Sequence, residues 1–205
     1  MKTKKLLKAL GVVLAAVALV VVSVLGTMAW LTDTTDEVVN TITVGNVDLD
    51  LYETVTTEVE GSPVTTEVKA QNYKLFPGQT YSKNPTVEVQ SGSEECYIRV
   101  KITVTNATAW AGQFNSCIDL QSGWTCVNPD ATADGEDKIV YEYRYADVID
   151  ASATDVAKAV FTTLTVPGTW TNETITSDET ITVVAHGIQA TGMTNAADAW
   201  AKFDA

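Results

Sequence analysis

The chain is poor in the residues on which most catalytic chemistry is built. It holds one histidine, His186, and three cysteines, Cys96, Cys117 and Cys126, in 205 residues. That inventory excludes a zinc site made of several histidines, and no HExxH, GxSxG or phosphate-cradling glycine loop occurs. An enzymatic reading therefore starts from little. No acidic residue precedes Asp33, and no charge of either sign falls between Ala9 and Thr32. No linker or domain boundary shows after this N-terminal region.

What is present is strongly acidic. Four of the 13 basic residues, Lys2, Lys4, Lys5 and Lys8, lie ahead of the apolar run. Nine basic and 26 acidic residues follow it, a net charge of −17 on the rest of the chain. Such a surface repels nucleic acid and anionic lipid, and favours solubility, cations or basic partners.

The N-terminus has the organisation of an export signal. The four lysines form a positive n-region, residues 9–25 an apolar h-region, and Thr27 and Ala29 are small residues two apart, suited to the shallow pockets of a signal peptidase. A cut after Ala29 would make Trp30 the new N-terminus. The same uncharged stretch also matches the roughly 20 residues of a spanning helix, and lysines on the cytoplasmic side fit both cases. From these residues alone a removed signal and a retained anchor both stand, and in either case the bulk of the chain is exported. The organisation expected is residues 1–29 signal peptide, 30–44 an N-terminal segment, and 45–205 one folded domain.

Export places the cysteines where disulfides can persist. Cys117 and Cys126 flank a stretch in which residues 121–123 predict a hairpin turn, so they form a candidate disulfide. The alternative is a pair of small buried residues in reducing surroundings. Cys96 opens an apolar strand face and is expected as a buried small hydrophobe.

From Asp33 onward the periodicity is that of strands. In residues 96–105, Cys96, Ile98, Val100, Ile102 and Val104 alternate with Tyr97, Arg99, Lys101 and Thr103, which predicts a half-buried strand with the charged residues facing solvent. Val47, Leu49 and Leu51 alternate likewise, as do Ile139, Tyr141, Tyr143 and Tyr145. Residues 86–89, 160–166 and 180–190 are further strands. In the last of these Ile188 and Ala190 have the opposite parity to Ile181, Val183 and Ala185, which predicts a bulge near Gly187 that returns them to the core. Residues 56–68 nearly repeat around Gly61, Ser62 and Pro63 and predict a polar hairpin; Pro77-Gly78 predicts a type II turn. Helices are expected only over residues 194–203, with Ala196, Trp200 and Phe203 at helical spacing behind a Thr or Asn cap, and over residues 151–160. Many short strands between turns predict an all-β fold, an antiparallel sandwich with one or two short helices.

Several features could carry chemistry. Asp130, Asp134, Glu136 and Asp137 are acidic but do not follow the alternation of a calcium loop, so a solvated turn is the simpler account. Asn106 and Asn172 each begin an N-glycosylation sequon, a pattern short enough to arise by chance. Trp110, Trp124 and Trp170 fit core packing better than a sugar-stacking platform. His186 sits beside the expected bulge, as a packed or surface residue rather than a ligand.

The junction of residues 29–51, AWLTDTTDEVVNTITVGNVDLDL, resembles the start of mature TasA/camelysin-family proteins, as do residues 75–89, 93–104 and 181–203. The likeness touches most of the chain, in order and spacing; the pair Cys117 and Cys126 departs from it. It implies a jelly-roll sandwich, cleavage between Ala29 and Trp30 by a SipW-type signal peptidase, membrane contact only before cleavage, and secretion to the extracellular matrix or cell surface. It further implies a non-enzymatic subunit of biofilm fibres that self-associates, alongside other matrix components, by donating its freed N-terminal segment as a strand. No cofactor is implied. Residues 37–44 have suitable β-branched content: Val38, Ile42 and Val44 would share one face, with Asn40 the polar exception. Two alternatives remain open: a membrane-anchored adhesin or carbohydrate-binding sandwich, and a camelysin-like protease, for which the lone His186 is poor support.

Overall fold

The alternation in the middle of the chain predicts a strand buried on one face, and the computed structural model buries that face completely. It describes residues 46–71, 75–110, 112–133, 136–171, 174 and 180–205, and the backbone of residues 32–34. Among the described residues twelve strands form: β1 (Thr32–Thr34), β2 (Leu49–Val59), β3 (Ser62–Val68), β4 (Thr80–Ser82), β5 (Thr86–Val89), β6 (Cys96–Thr105), β7 (Ile118–Leu120), β8 (Trp124–Cys126), β9 (Lys138–Tyr145), β10 (Val156–Ala159), β11 (Phe161–Thr165) and β12 (Ile181–Gln189). Three short helices accompany them among those residues: α1 (Ala107–Trp110), α2 (Phe114–Cys117) and α3 (Ala196–Phe203). All pairings are antiparallel, and the architecture is a β-sandwich.

One layer is a five-stranded sheet of order β1-β12-β6-β9-β8. The other is bent. Its four-stranded part has the order β10-β5-β2-β3, and its three-stranded part β4-β11-β7. Since β10 runs into β11 and β4 into β5, the two parts meet at a joint where the Val160 N–H donates to the Pro85 carbonyl (2.8 Å) and the Lys83 N–H to that of Thr162 (3.1 Å). The backbone of the joint is thereby satisfied although the ladder is broken there.

The core lies between the layers. Cys96, Ile98, Val100, Ile102, Val104, Ile139, Tyr141 and Tyr143 come from the five-stranded sheet and meet Leu49, Val87, Val89, Phe161 and Leu164 from the other. Each such side chain contributes roughly 1.5–3 kcal/mol on burial, so the apolar parity of β2, β6 and β9 is what selects the face. Trp110 packs edge-on to Trp170 (4.6 Å between ring centroids) and Phe114 stacks on Tyr141 (5.2 Å). All three tryptophans considered as a sugar platform, Trp110, Trp124 and Trp170, are thus interior residues. A buried ion pair between Lys83 and Glu53 ties β2 to the β4–β5 joint, and the second Glu53 oxygen accepts from Gln71 Nε2 (2.6 Å).

The structure departs from the expected elements in several places, the short helices α1 and α2, which no pattern had marked, among them. Residues 151–160 are not a helix: Val156–Ala159 form β10, in register Val156↔Val89 to Ala159↔Thr86. The Asp155 carboxylate fixes the entry by accepting from the Ser91 N–H (2.7 Å); a neighbouring strand outweighs the helix propensity of alanine. Residues 117–126 do turn, with the Trp124 N–H donating to the Gln121 carbonyl (3.2 Å). They make no hairpin, however, because β7 pairs with β11 and β8 with β9. The β2–β3 hairpin turns on Glu60 and Gly61, both at positive φ (52° and 78°), rather than on residues 61–63. This is the backbone of a two-residue type I′ turn, which brings Val59 opposite Ser62. Lastly, β12 has no bulge: nine consecutive pairs run from Ile181↔Val104 to Gln189↔Cys96.

Candidate functional site

Without a bulge, Ile188 stays on the outer face of β12, and a second small core forms there. Ile188, Ala199 and Trp200 are its buried members, with Tyr97, Met193, Ala196 and Phe203 packed around them. The helix that supplies them, α3, is set by its cap: Asn195 accepts from the Asp198 N–H (3.0 Å), and Asp198 in turn accepts from the Thr194 N–H (3.0 Å). Asp198 and Lys202 are one turn apart and paired at 3.1 Å. The apolar side of α3 thus faces the outer surface of β6 and β12.

Arg99 is the centre of this contact. Sequence alternation places it on the solvent face of β6, yet its side chain is 0% exposed, because α3 closes over it. Its guanidinium forms a two-pronged pair with Asp204 (2.7 and 2.6 Å), reaches Glu142 (3.4 Å), and donates from Nε to His186 Nδ1 (3.3 Å). It also lies 4.6 Å from the ring centroids of both Trp200 and Phe203. Four of the five N–H donors of the planar fork are thereby used, and the charge is paired with two carboxylates, as a buried cation requires. The Arg99 hydrogen bonds hold the Asp204 carboxyl below the ordinary carboxylate range, against the opposing effect of burial. His186 is 7% exposed. Burial first, then Arg99 and Lys101, push its pKa down to about 4, so at neutral pH the ring is an uncharged acceptor. It is a packed histidine, as expected.

The opposite face of β12 is equally constrained. A Cβ on Gly187 would lie 2.8 Å from Val47 Cγ1 and 2.9 Å from Leu49 Cδ1, so only glycine lets β12 approach β2 this closely. Along its two edges β12 pairs with β6 on one side and with β1 on the other, where Thr32, Asp33 and Thr34 stand opposite Ile188, Gly187 and His186. The three residues that meet β1 are therefore those held from within by Val47 and Leu49 and from without by Arg99, Phe203 and Trp200. The arrangement is a braced sheet edge carrying a short edge strand.

Cys117 and Cys126 are free thiols, as is Cys96. Burial raises the Cys117 pKa and pushes that of Cys96 up to about 12. The acidic loop has structural work: Asp137 Oδ1 accepts from the Ala107 N–H (3.0 Å) at the start of α1. The cleavage pair Ala29 and Trp30, and the strand candidates Val38, Asn40, Ile42 and Val44, lie outside the described residues, as do the whole of 1–29 and Asn172. Among the described residues no group of three or more His, Cys, Asp or Glu side chains is placed to hold a metal, and no helix is long and apolar enough to cross a membrane. What the sequence reading missed is Arg99 and Asp204. The available signal was the apolar spacing of Trp200 and Phe203, which demanded a sheet face to cover. No protein-family model, no curated protein and no solved structure matches the chain.

Proposed function

We propose that this chain is an exported structural subunit of extracellular matrix or cell-surface fibres, assembled by adding a strand from one copy to the sheet of another. The observation that carries the reading is the edge strand β1, held to β12 by three residue pairs and lying directly after the expected cut between Ala29 and Trp30. A sheet edge presents main-chain N–H and C=O groups that any extended segment can satisfy, and side chains at alternate positions then set specificity. The signal-like N-terminus and the likeness to the TasA/camelysin family support export and the freeing of residues 30–44. A net charge of −17 keeps separate copies soluble, so that short-range main-chain pairing rather than bulk attraction governs when they join.

Negative-stain microscopy tests this on two forms of the chain, one beginning at Trp30 and one near Gly45. Fibres from the first and not the second are expected. Equal polymerisation of both would refute strand donation. N-terminal sequencing of exported material reports the cut directly, and an intact Met1 would favour the anchored adhesin. The protease alternative gains nothing from His186, whose Nδ1 is engaged by Arg99.

A further inference from the structure

The strand that the proposed function gives away is the one already lying on β12 within the same chain. On one side β12 makes nine residue pairs with β6; on the other it makes three with β1. The short ladder is the weaker of the two by a wide margin, since sheet pairing adds up residue by residue. Short peripheral contacts of this kind open locally far more often than the body of a domain unfolds.

The edge beneath β1 is built independently of it. At Gly187 the backbone is pressed against Val47 and Leu49. At His186 the ring is held by Arg99 Nε (3.3 Å) and lies 5.0 Å from the ring of Phe203. Ile188 is enclosed with Trp200 and Ala199. Removing β1 leaves each of these contacts in place. The edge is thus ready to receive a strand, and the segment it fits best is the one it already holds.

We propose that β1 is a self-cap: its pairing with β12 keeps the isolated chain closed, and assembly exchanges it for the same residues of a second copy in the same register. This rests on the strand-donation reading and adds its regulation. Exchange of an identical element between copies needs no new surface, because every bond made between chains is one first made within a chain. Within one chain the cap is favoured by its high effective concentration, on the order of millimolar for short connections. Self-capping therefore wins in dilute protein and exchange wins when copies are crowded, as they are at an export site or in a matrix.

The test uses a synthetic peptide of residues 30–44 and the chain from Trp30 onward, which contains the compact unit Leu31–Ala205. Antiparallel alternation means that β1 is hydrogen-bonded to β12 either through Thr32 and Thr34 or through Asp33. Two capless variants cover both cases: Asp33→Pro, and Thr32→Pro with Thr34→Pro. Hydrogen exchange at those amides of residues 186–188 that point to β1 rather than to β6 reports occupancy of the edge. In the capless variant those amides should exchange faster, and added peptide should protect them again; the unmodified chain should need at least about tenfold more peptide for the same effect. Equal peptide uptake by capped and capless chains, or no uptake by either variant, overturns the self-cap. Peptide capture by a chain that never forms fibres would keep the self-cap and reject the fibre reading. Fibres from a chain whose capless edge ignores the peptide would do the reverse.

Discussion

Asp204→Asn is the sharpest probe of how the C-terminal helix is held. The carboxylate accepts two hydrogen bonds from Arg99, at 2.6 and 2.7 Å, while the arginine side chain is 0% and the aspartate side chain 45% exposed. Breaking a fully buried pair by removing one partner costs about 3–5 kcal/mol. Half of this pair is open to solvent, which screens the charge. Arg99 also keeps Glu142 at 3.4 Å and the two aromatic rings. The asparagine still offers one acceptor oxygen, so the loss is that of one charge-assisted bond and the ion-pair attraction, about 2 kcal/mol. For a domain of this size that lowers the melting temperature by roughly 4–8 °C. Thermal unfolding followed by near-UV circular dichroism, to which Trp200 contributes, measures it, with Glu136→Gln as control: its exposed pair with Lys138 should be worth less than about 1 kcal/mol. If Asp204→Asn melts within experimental error of the parent, Arg99 is not secured by α3 and the account of the braced edge is wrong.

Four further outcomes are expected. His186 faces Arg99 and Lys101 as cations and Asp204 and Glu142 as anions, and its pKa falls from 6.5 to about 4; the unfolded chain therefore binds this proton first on acidification. Stability should drop by up to ~3 kcal/mol as pH falls through that window, and melting curves of His186→Asn that kept the same slope there would contradict it. Gly187→Ala should cost roughly 1–3 kcal/mol by forcing Val47 and Leu49 aside, readable in chemical denaturation; an unchanged midpoint would mean that β12 and β2 have room to part. Alkylation of the folded chain followed by mass spectrometry should modify partly exposed Cys126 first and Cys96 last, since Cys96 is buried and its thiol pKa is near 12. Because like-charged copies repel at long range, assembly of the chain from Trp30 should accelerate with ionic strength over the range that shortens the Debye length to about 8 Å; salt-independent rates would argue against that balance.

What was legible in the sequence was legible through period. Strict alternation in β2, β6 and β9 named the buried faces, because a side-chain period of two leaves no other way to bury one side of a strand. The turn at Pro77-Gly78 was equally local: Gly78 has φ 75° and the Gln79 N–H closes the turn on the Phe76 carbonyl (3.1 Å). The cap of α3 was also readable, since an Asn before an apolar helical face satisfies an end that the helix cannot satisfy itself.

Other features had no local cause. Ala151 to Val160 could be helix or strand by composition, and only the open edge of β5 decided for β10. Nothing within residues 117–126 says that β7 and β8 will leave for different layers; the partners β11 and β9 determine that. The parity of Ile188 suggested an irregular strand because a sandwich was assumed to have one core. Once α3 lies across the outside of β6 and β12, the same residue is buried in a second core with no irregularity at all.

By itself, then, the sequence determined the all-β class, the inward faces and the turn at Pro77-Gly78, since each depends on neighbours within a few residues. Only the tertiary structure decided that Arg99 is buried, that Gly187 must lack a side chain and that β1 lies on β12. Each of these depends on residues far apart in the chain being brought together: Arg99 with Asp204, Gly187 with Val47, Thr34 with His186. No local pattern records such a meeting.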